Sequence, residues 1–160
     1  MQSPEPTPAR ARVRRSADRP VVAGGGEGLW TTGERLTLVA GLVLAVSAFT
    51  GWYVGSGEGL TISVIGWHTG TLGKLVFFVG ALLVALVVLR AAGIELPGAV
   101  PESLIVIVLG SLATIFVLIR IIDVPERFVP ADGRAVGIWI SLVAALAVIA
   151  AGLLQASEEL

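Results

Sequence analysis

Four stretches of this chain, residues 36–54, 72–92, 103–122 and 135–156, are each about as long as a bilayer's hydrocarbon core is thick, and they are nearly free of charge. From Leu36 to Val54 there is no charged side chain, and nineteen residues at 1.5 Å each make about 28 Å of helix. The second stretch holds Lys74 and Arg90 near its two ends, where long side chains snorkel to the headgroups. The third holds Arg120 near its end, and the fourth holds no charge at all. A helix satisfies its own backbone in hydrocarbon, so runs of this kind predict membrane spans. The predicted fold is an all-α membrane protein, an antiparallel four-helix transmembrane bundle over residues 31–157 with a disordered tail over 1–30.

Composition agrees. Only 14% of residues are charged, against about 25% in a soluble domain, which leaves too little polar surface to face water all round. The net charge of −1 argues against a general polyanion binder, so no specific nucleic acid is expected. The absence of cysteine excludes disulfides, thiolate metal sites, thiol catalysis and palmitoylation.

Residues 1–30 read as a tail. Pro4, Pro6 and Pro8 favour extended backbone, Gly24-Gly25-Gly26 is a hinge, and five arginines (Arg10, Arg12, Arg14, Arg15, Arg19) lie between. Such a segment serves either as a topology determinant or as a contact for anionic lipid. Order is expected from Trp30, with Thr31 and Glu34 spaced as a capping box. Trp30, Trp52, Tyr53 and Trp67 stand where interface anchors belong. Between the first two spans, Leu60, Ile62 and Val64 alternate with Thr61 and Ser63, a strand-like period that predicts a short extended stretch over the bundle mouth. The segment from Val124 to Arg134 is expected to be a polar loop.

With four spans both termini share one side. That side would hold Arg10, Arg12, Arg14, Arg15, Arg19, Arg35 and Arg90, and the other only Lys74, Arg120, Arg127 and Arg134. Positive-inside then predicts a multi-pass protein of the cytoplasmic membrane with both termini cytoplasmic. A cleaved signal peptide ending near Ala48 is the competing reading of the first span. The long tail and the unbroken hydrophobicity into Trp52-Tyr53 favour an uncleaved anchor.

Candidate chemistry is sparse. Arg120 and Asp123, three apart, would share a helix face at the outer end of the third span. They are either a charged pair facing the bundle interior or an interfacial pair favoured by the helix dipole. With His68 and Arg134 they form a candidate outer-rim polar cluster. His68 is the only histidine and has no carboxylate pair beside it, so no metal site is expected, and nothing implies a cofactor. Gly55-Ser56-Gly57-Glu58-Gly59 lacks the strand–turn–helix setting of a nucleotide fingerprint. Ser47, Gly51 and Gly55 across the end of the first span, and Gly137, Ser141 and Ala145 on the fourth, form small-residue ridges for close helix packing.

The run Gly33-Glu34-Arg35-Leu36, then Ser47-Ala48-Phe49 and Trp52-Tyr53, resembles the opening of small four-span bacterial membrane proteins of actinobacterial type. Arg120-Ile121-Ile122-Asp123-Val124-Pro125 and Arg134-Ala135-Val136-Gly137-Ile138-Trp139 resemble the same group. The resemblance spans residues 33–157 and implies fold and location but no activity. The expected function is therefore a non-enzymatic accessory or scaffold subunit whose partners are membrane lipid and another membrane protein or a second copy. A small oligomeric transporter or channel using the Arg120–Asp123 pair is the alternative. An enzyme is not expected, because no span carries an acid, base or nucleophile beside a second one.

Overall fold

The computed structural model describes residues 31–57, 60–94, 100–123 and 131–160. The expected tail, Trp30 and most of the loop between the last two helices lie outside them. Four helices carry the fold: α1 (Thr32–Ser47), α2 (Thr71–Ala91), α3 (Glu102–Ile122) and α4 (Val136–Glu159). Between α1 and α2 lie β1 (Gly51–Gly57), β2 (Leu60–Ile65) and a 3-10 turn, Gly66–His68; β3 (Ala131–Arg134) precedes α4. Three helices, α2, α3 and α4, are long and apolar enough to cross a membrane. The protein is a membrane protein that is mostly helical, with a small sheet at one end.

Helix α1 starts as its capping pattern predicts. The Thr31 hydroxyl accepts from the Glu34 amide, and the Glu34 carboxylate accepts from the Thr31 amide at 2.8 Å. It ends early. The uncharged run to Val54 predicts an unbroken helix, whereas the helix stops at Ser47 and the chain becomes a strand at Gly51. At 16 residues α1 measures about 24 Å, short of a full hydrocarbon thickness. Hydrophobicity alone cannot separate helix from buried strand, and Trp52-Tyr53-Val54 is aromatic and β-branched, which suits a strand.

Bonds to the returning chain hold this break in place. A helix end leaves orphan carbonyls, and here the Ser47 carbonyl accepts from the Trp52 indole at 2.9 Å and from the Thr50 hydroxyl at 2.6 Å. Just beyond, the Ala48 and Thr50 carbonyls accept from the amides of Trp67 and Gly66. The hairpin thus completes the end of α1.

The sheet has order β2-β1-β3, antiparallel throughout. The extended stretch expected at Leu60 to Val64 is β2, paired with β1 through Val54↔Ser63 and Gly55↔Ile62. Strand β3 lies in what read as polar loop, and joins β1 through Tyr53↔Arg134.

The helices pack up-down-up-down, each against two neighbours. Glu34 meets Arg90 across α1 and α2, Ser103 meets Glu159 across α3 and α4, and Ser47 meets Ser141 across α1 and α4. Leu44, Leu83, Val76, Val106, Val117, Ile138 and Val148 fill the centre. Close approach depends on small residues. A β-carbon at Gly80 would lie 2.6 Å from the Ala45 amide nitrogen, so α2 touches the backbone of α1 there. The outward faces are also apolar: Val39, Leu42 and Val46 of α1, Phe78 and Leu82 of α2, Val108 of α3 and Val143 of α4 are all exposed. Helices hydrophobic all round suit lipid.

Candidate functional site

The sheet end of the bundle gathers the polar side chains singled out from the sequence. Arg120 stands in the last turn of α3 and is only 9% exposed. Its guanidinium donates to the main-chain carbonyl of Thr69, while its Nε has no partner among the described residues. Its own main-chain carbonyl, one of the orphans at the end of α3, accepts from the Tyr53 hydroxyl at 2.6 Å. The next carbonyl, Ile121, accepts from Arg134 Nε at 2.6 Å. A residue of β1 and a residue of β3 thus close the C-terminus of α3, which fastens the sheet to the bundle.

The expected Arg120–Asp123 pair does not form. Asp123 is exposed and is in no ion pair among the described residues. The reason is local. Asp123 is the C-cap, with φ −99° and ψ 94°, so it has left helical geometry and the three-residue spacing no longer places it on Arg120's face. Arg120 turns inward to Thr69, and Asp123 turns to solvent. His68 is likewise exposed, at the end of the 3-10 turn, and Arg134 is exposed apart from its bond to Ile121. The four residues share one end of the molecule without forming one cluster.

Burial raises the Tyr53 phenol above its ordinary range, and the positive charges of Arg120 and Arg134 partly offset that effect. The phenol therefore stays protonated and able to donate.

Two of the expected interface anchors are core residues. Trp52 is fully buried and Tyr53 nearly so, because the strand turns both toward the bundle beside its register shift. Trp67 is partly exposed. Its ring stacks on Phe49 at 5.4 Å, meets Phe77 edge-on, and lies under the Lys74 ammonium at 5.7 Å.

The small-residue ridges divide in the same way. Gly51 and Gly55 lie on β1, so their spacing makes no helix face. The other residues pack as ridges do. The Ser141 hydroxyl donates to Ser47 Oγ at 2.7 Å, Ala145 is fully buried, and Gly137 sits against the Gly51 carbonyl and the Thr50 side chain with no room for a β-carbon.

Sequence reasoning missed the polar network at the opposite end. Arg90 does not simply snorkel. Its Nε lies 2.8 Å from the Glu34 carboxylate, and another of its nitrogens reaches Glu102. Ser103 donates to Glu159 at 2.8 Å, and Gln155 donates to Thr37 at 2.9 Å inside the bundle. All four helices are tied together there. The available signal was that Glu34, Arg90, Glu102 and Glu159 all fall at span ends on one side.

An apolar furrow of about 390 Å³ runs between α1 and α4 over Val39, Ala40, Val43, Trp139, Val143 and Ala147. Among the described residues no three of His, Asp and Glu come together as metal ligands. Comparison with known proteins finds no matching family model, no matching curated protein and no matching solved structure.

Proposed function

We propose that the protein is a non-enzymatic accessory or scaffold subunit of the cytoplasmic membrane that adds a strand from a membrane-protein partner to the free edge of β2. That edge is the observation that carries the reading. Among the described residues β2 has a strand neighbour on one side only, and Thr61, Ile62 and Ser63 are exposed. Its sequence, Leu60-Thr61-Ile62-Ser63-Val64-Ile65, holds no charge and no proline, two of the usual devices that block pairing at an edge. The opposite edge, β3, carries Asp132, Gly133 and Arg134 in four residues. An unblocked edge beside a blocked one suits recognition by strand addition.

The same reading takes α1 as a fourth crossing, short but lipid-facing, and puts both termini on the cytoplasmic side. Exposed Val39, Leu42 and Val46 support the first point, and the distribution of basic residues supports the second. The transport alternative leaned on an Arg120–Asp123 pair, and those side chains do not meet.

The test is co-purification of the full chain in mild detergent, alongside Ile62→Lys. A stoichiometric membrane-protein partner is expected with the wild type and absent with the variant, while the thermal midpoint of the two chains agrees. Equal recovery of that partner by both, or a wild-type chain that purifies alone, refutes the reading.

A further inference from the structure

The polar groups that bound the bundle stand closer together on one of its faces than on the other. On α2, Lys74 and Arg90 are sixteen residues apart, about 24 Å along the helix, and every exposed side chain between them is apolar. Neither charge extends far along the axis. Arg90 is held sideways by Glu34 of α1 at 2.8 Å and by Glu102 of α3. The Lys74 ammonium lies 5.7 Å from the centre of the Trp67 ring, which itself meets Phe77, farther into the helix.

Helix α1 gives the same height independently. Its 16 residues measure about 24 Å, and the chain then turns into the hairpin. The outer strand of that hairpin, β2, exposes Thr61 and Ser63 along an edge with no strand neighbour among the described residues. Hydrocarbon cannot satisfy the main-chain groups of such an edge, so an apolar layer ends where α1 does. Phe49 and Trp67, both partly exposed and stacked at 5.4 Å, stand at this boundary, as aromatic residues do at membrane surfaces.

The opposite face is taller. On α3 the polar bounds are Glu102 and Asp123, twenty-one residues and about 31 Å apart, with Leu104, Val108, Ile115 and Ile122 exposed between them. Arg120 also lies between them, but it is buried and donates inward to Thr69. Helix α4 is uncharged from Val136 to Ser157, again about 31 Å. A typical hydrocarbon core is about 30 Å thick, so α3 and α4 match it and α1 and α2 fall about 6 Å short.

We propose that the α1–α2 face selects short-chain lipid and thins the bilayer beside it, while the α3–α4 face takes lipid of ordinary length. The proposal rests on α1 being a crossing, as proposed above. Lipid suits the face because charged and aromatic groups stand at its rims, where headgroups belong. Between the rims no exposed residue of α1 or α2 bears a hydroxyl or amide, and Leu42, Val46, Phe78 and Leu82 are bulky, unlike the small residues that let helices dock. Mismatch costs free energy with each ångström, and shorter acyl chains remove it.

The chain has no cysteine, so single cysteines can carry a fluorophore: Leu42→Cys on α1, Leu82→Cys on α2 and Ile115→Cys on α3, each at an exposed position. The labelled full chains are reconstituted in equal mixtures of dipalmitoleoyl and dieicosenoyl phosphatidylcholine, with bromine on the chains of one lipid or the other as quencher. The shorter lipid is expected to be enriched about twofold over the bulk beside Leu42→Cys and Leu82→Cys and not beside Ile115→Cys. No enrichment beside Leu82→Cys, or equal enrichment beside all three, overturns the proposal and leaves the α1 crossing intact. A probe at Leu42→Cys that neither lipid quenches, while the other two probes are quenched, refutes the crossing, and the proposal falls with it.

Discussion

Trp52 separates two readings of the same residue. As an interface anchor it would lose little on truncation, because lipid and water already surround it. In the structure it is fully buried between the end of α1 and the sheet, and its indole donates to Ser47 at 2.9 Å. A tryptophan buries roughly 150–250 Å², which at about 25 cal/mol per Å² is roughly 4–6 kcal/mol of transfer from water. In detergent the unfolded chain keeps apolar company, so the cavity and lost dispersion contacts dominate, and Trp52→Ala is expected to cost about 3–5 kcal/mol. That is a large share of a typical folding free energy of about 5–15 kcal/mol. Trp52→Phe retains most of the volume and loses one hydrogen bond. The Ser47 carbonyl keeps the Thr50 hydroxyl at 2.6 Å, so no buried acceptor is orphaned, and the cost falls to about 1 kcal/mol. The assay is reversible denaturation in mixed micelles followed by far-ultraviolet circular dichroism. A loss under about 0.5 kcal/mol for Trp52→Ala, the range of an ordinary surface substitution, would refute the buried placement. So would equal losses for Ala and Phe.

Three further outcomes follow from the packing and the charges. Gly80→Val is expected to separate α1 from α2 at Ala45 and destabilise by about 1–3 kcal/mol, read in the same denaturation assay. Tyr53→Phe should cost about 1 kcal/mol through the lost bond to the Arg120 carbonyl. Because burial raises the Tyr53 pKa, the folded state holds its proton more tightly than the unfolded chain does. Its contribution is therefore full below the unfolded value near 10 and is lost as pH rises through the higher folded one, so wild-type stability should fall in that window while Tyr53→Phe stays flatter. Tyr53 is the chain's single tyrosine, so phenolate absorbance reports its titration alone. Arg90→Gln should cost under about 1 kcal/mol, because the Arg90 side chain is 45% exposed and solvent screens its two carboxylate contacts; a loss of several kcal/mol would mean the pair is buried.

The candidate site was legible in its residue types and illegible in its pairings. Arg120, His68, Asp123 and Arg134 lie at one end of the molecule, because loops and span ends order themselves along the chain. Which of them meet depended on where a helix stops. Asp123 leaves the helix at the C-cap and parts from Arg120, while Tyr53, read as an anchor, supplies the bond that closes α3. The Glu34–Arg90–Glu102 network went unseen for a related reason: each residue has an adequate local account as cap, snorkel or first-turn acid.

Local sequence therefore determined the apolar helices, the Thr31–Glu34 cap and the strand period at Leu60 to Val64, since each rests on hydropathy or on bonds spanning a few residues. It also determined that α2, α3 and α4 are long and apolar enough to cross a membrane. The end of the first apolar run was a tertiary decision. Nothing between Leu36 and Val54 stops a helix outright, and the run breaks after Ser47 because chain some fifteen to twenty residues on, at Gly66 and Trp67, completes the orphaned carbonyls there, while Arg134, about eighty residues on, pairs with Tyr53. A hydrophobic stretch records that its residues avoid water, and only their partners settle whether they do so as helix or as strand.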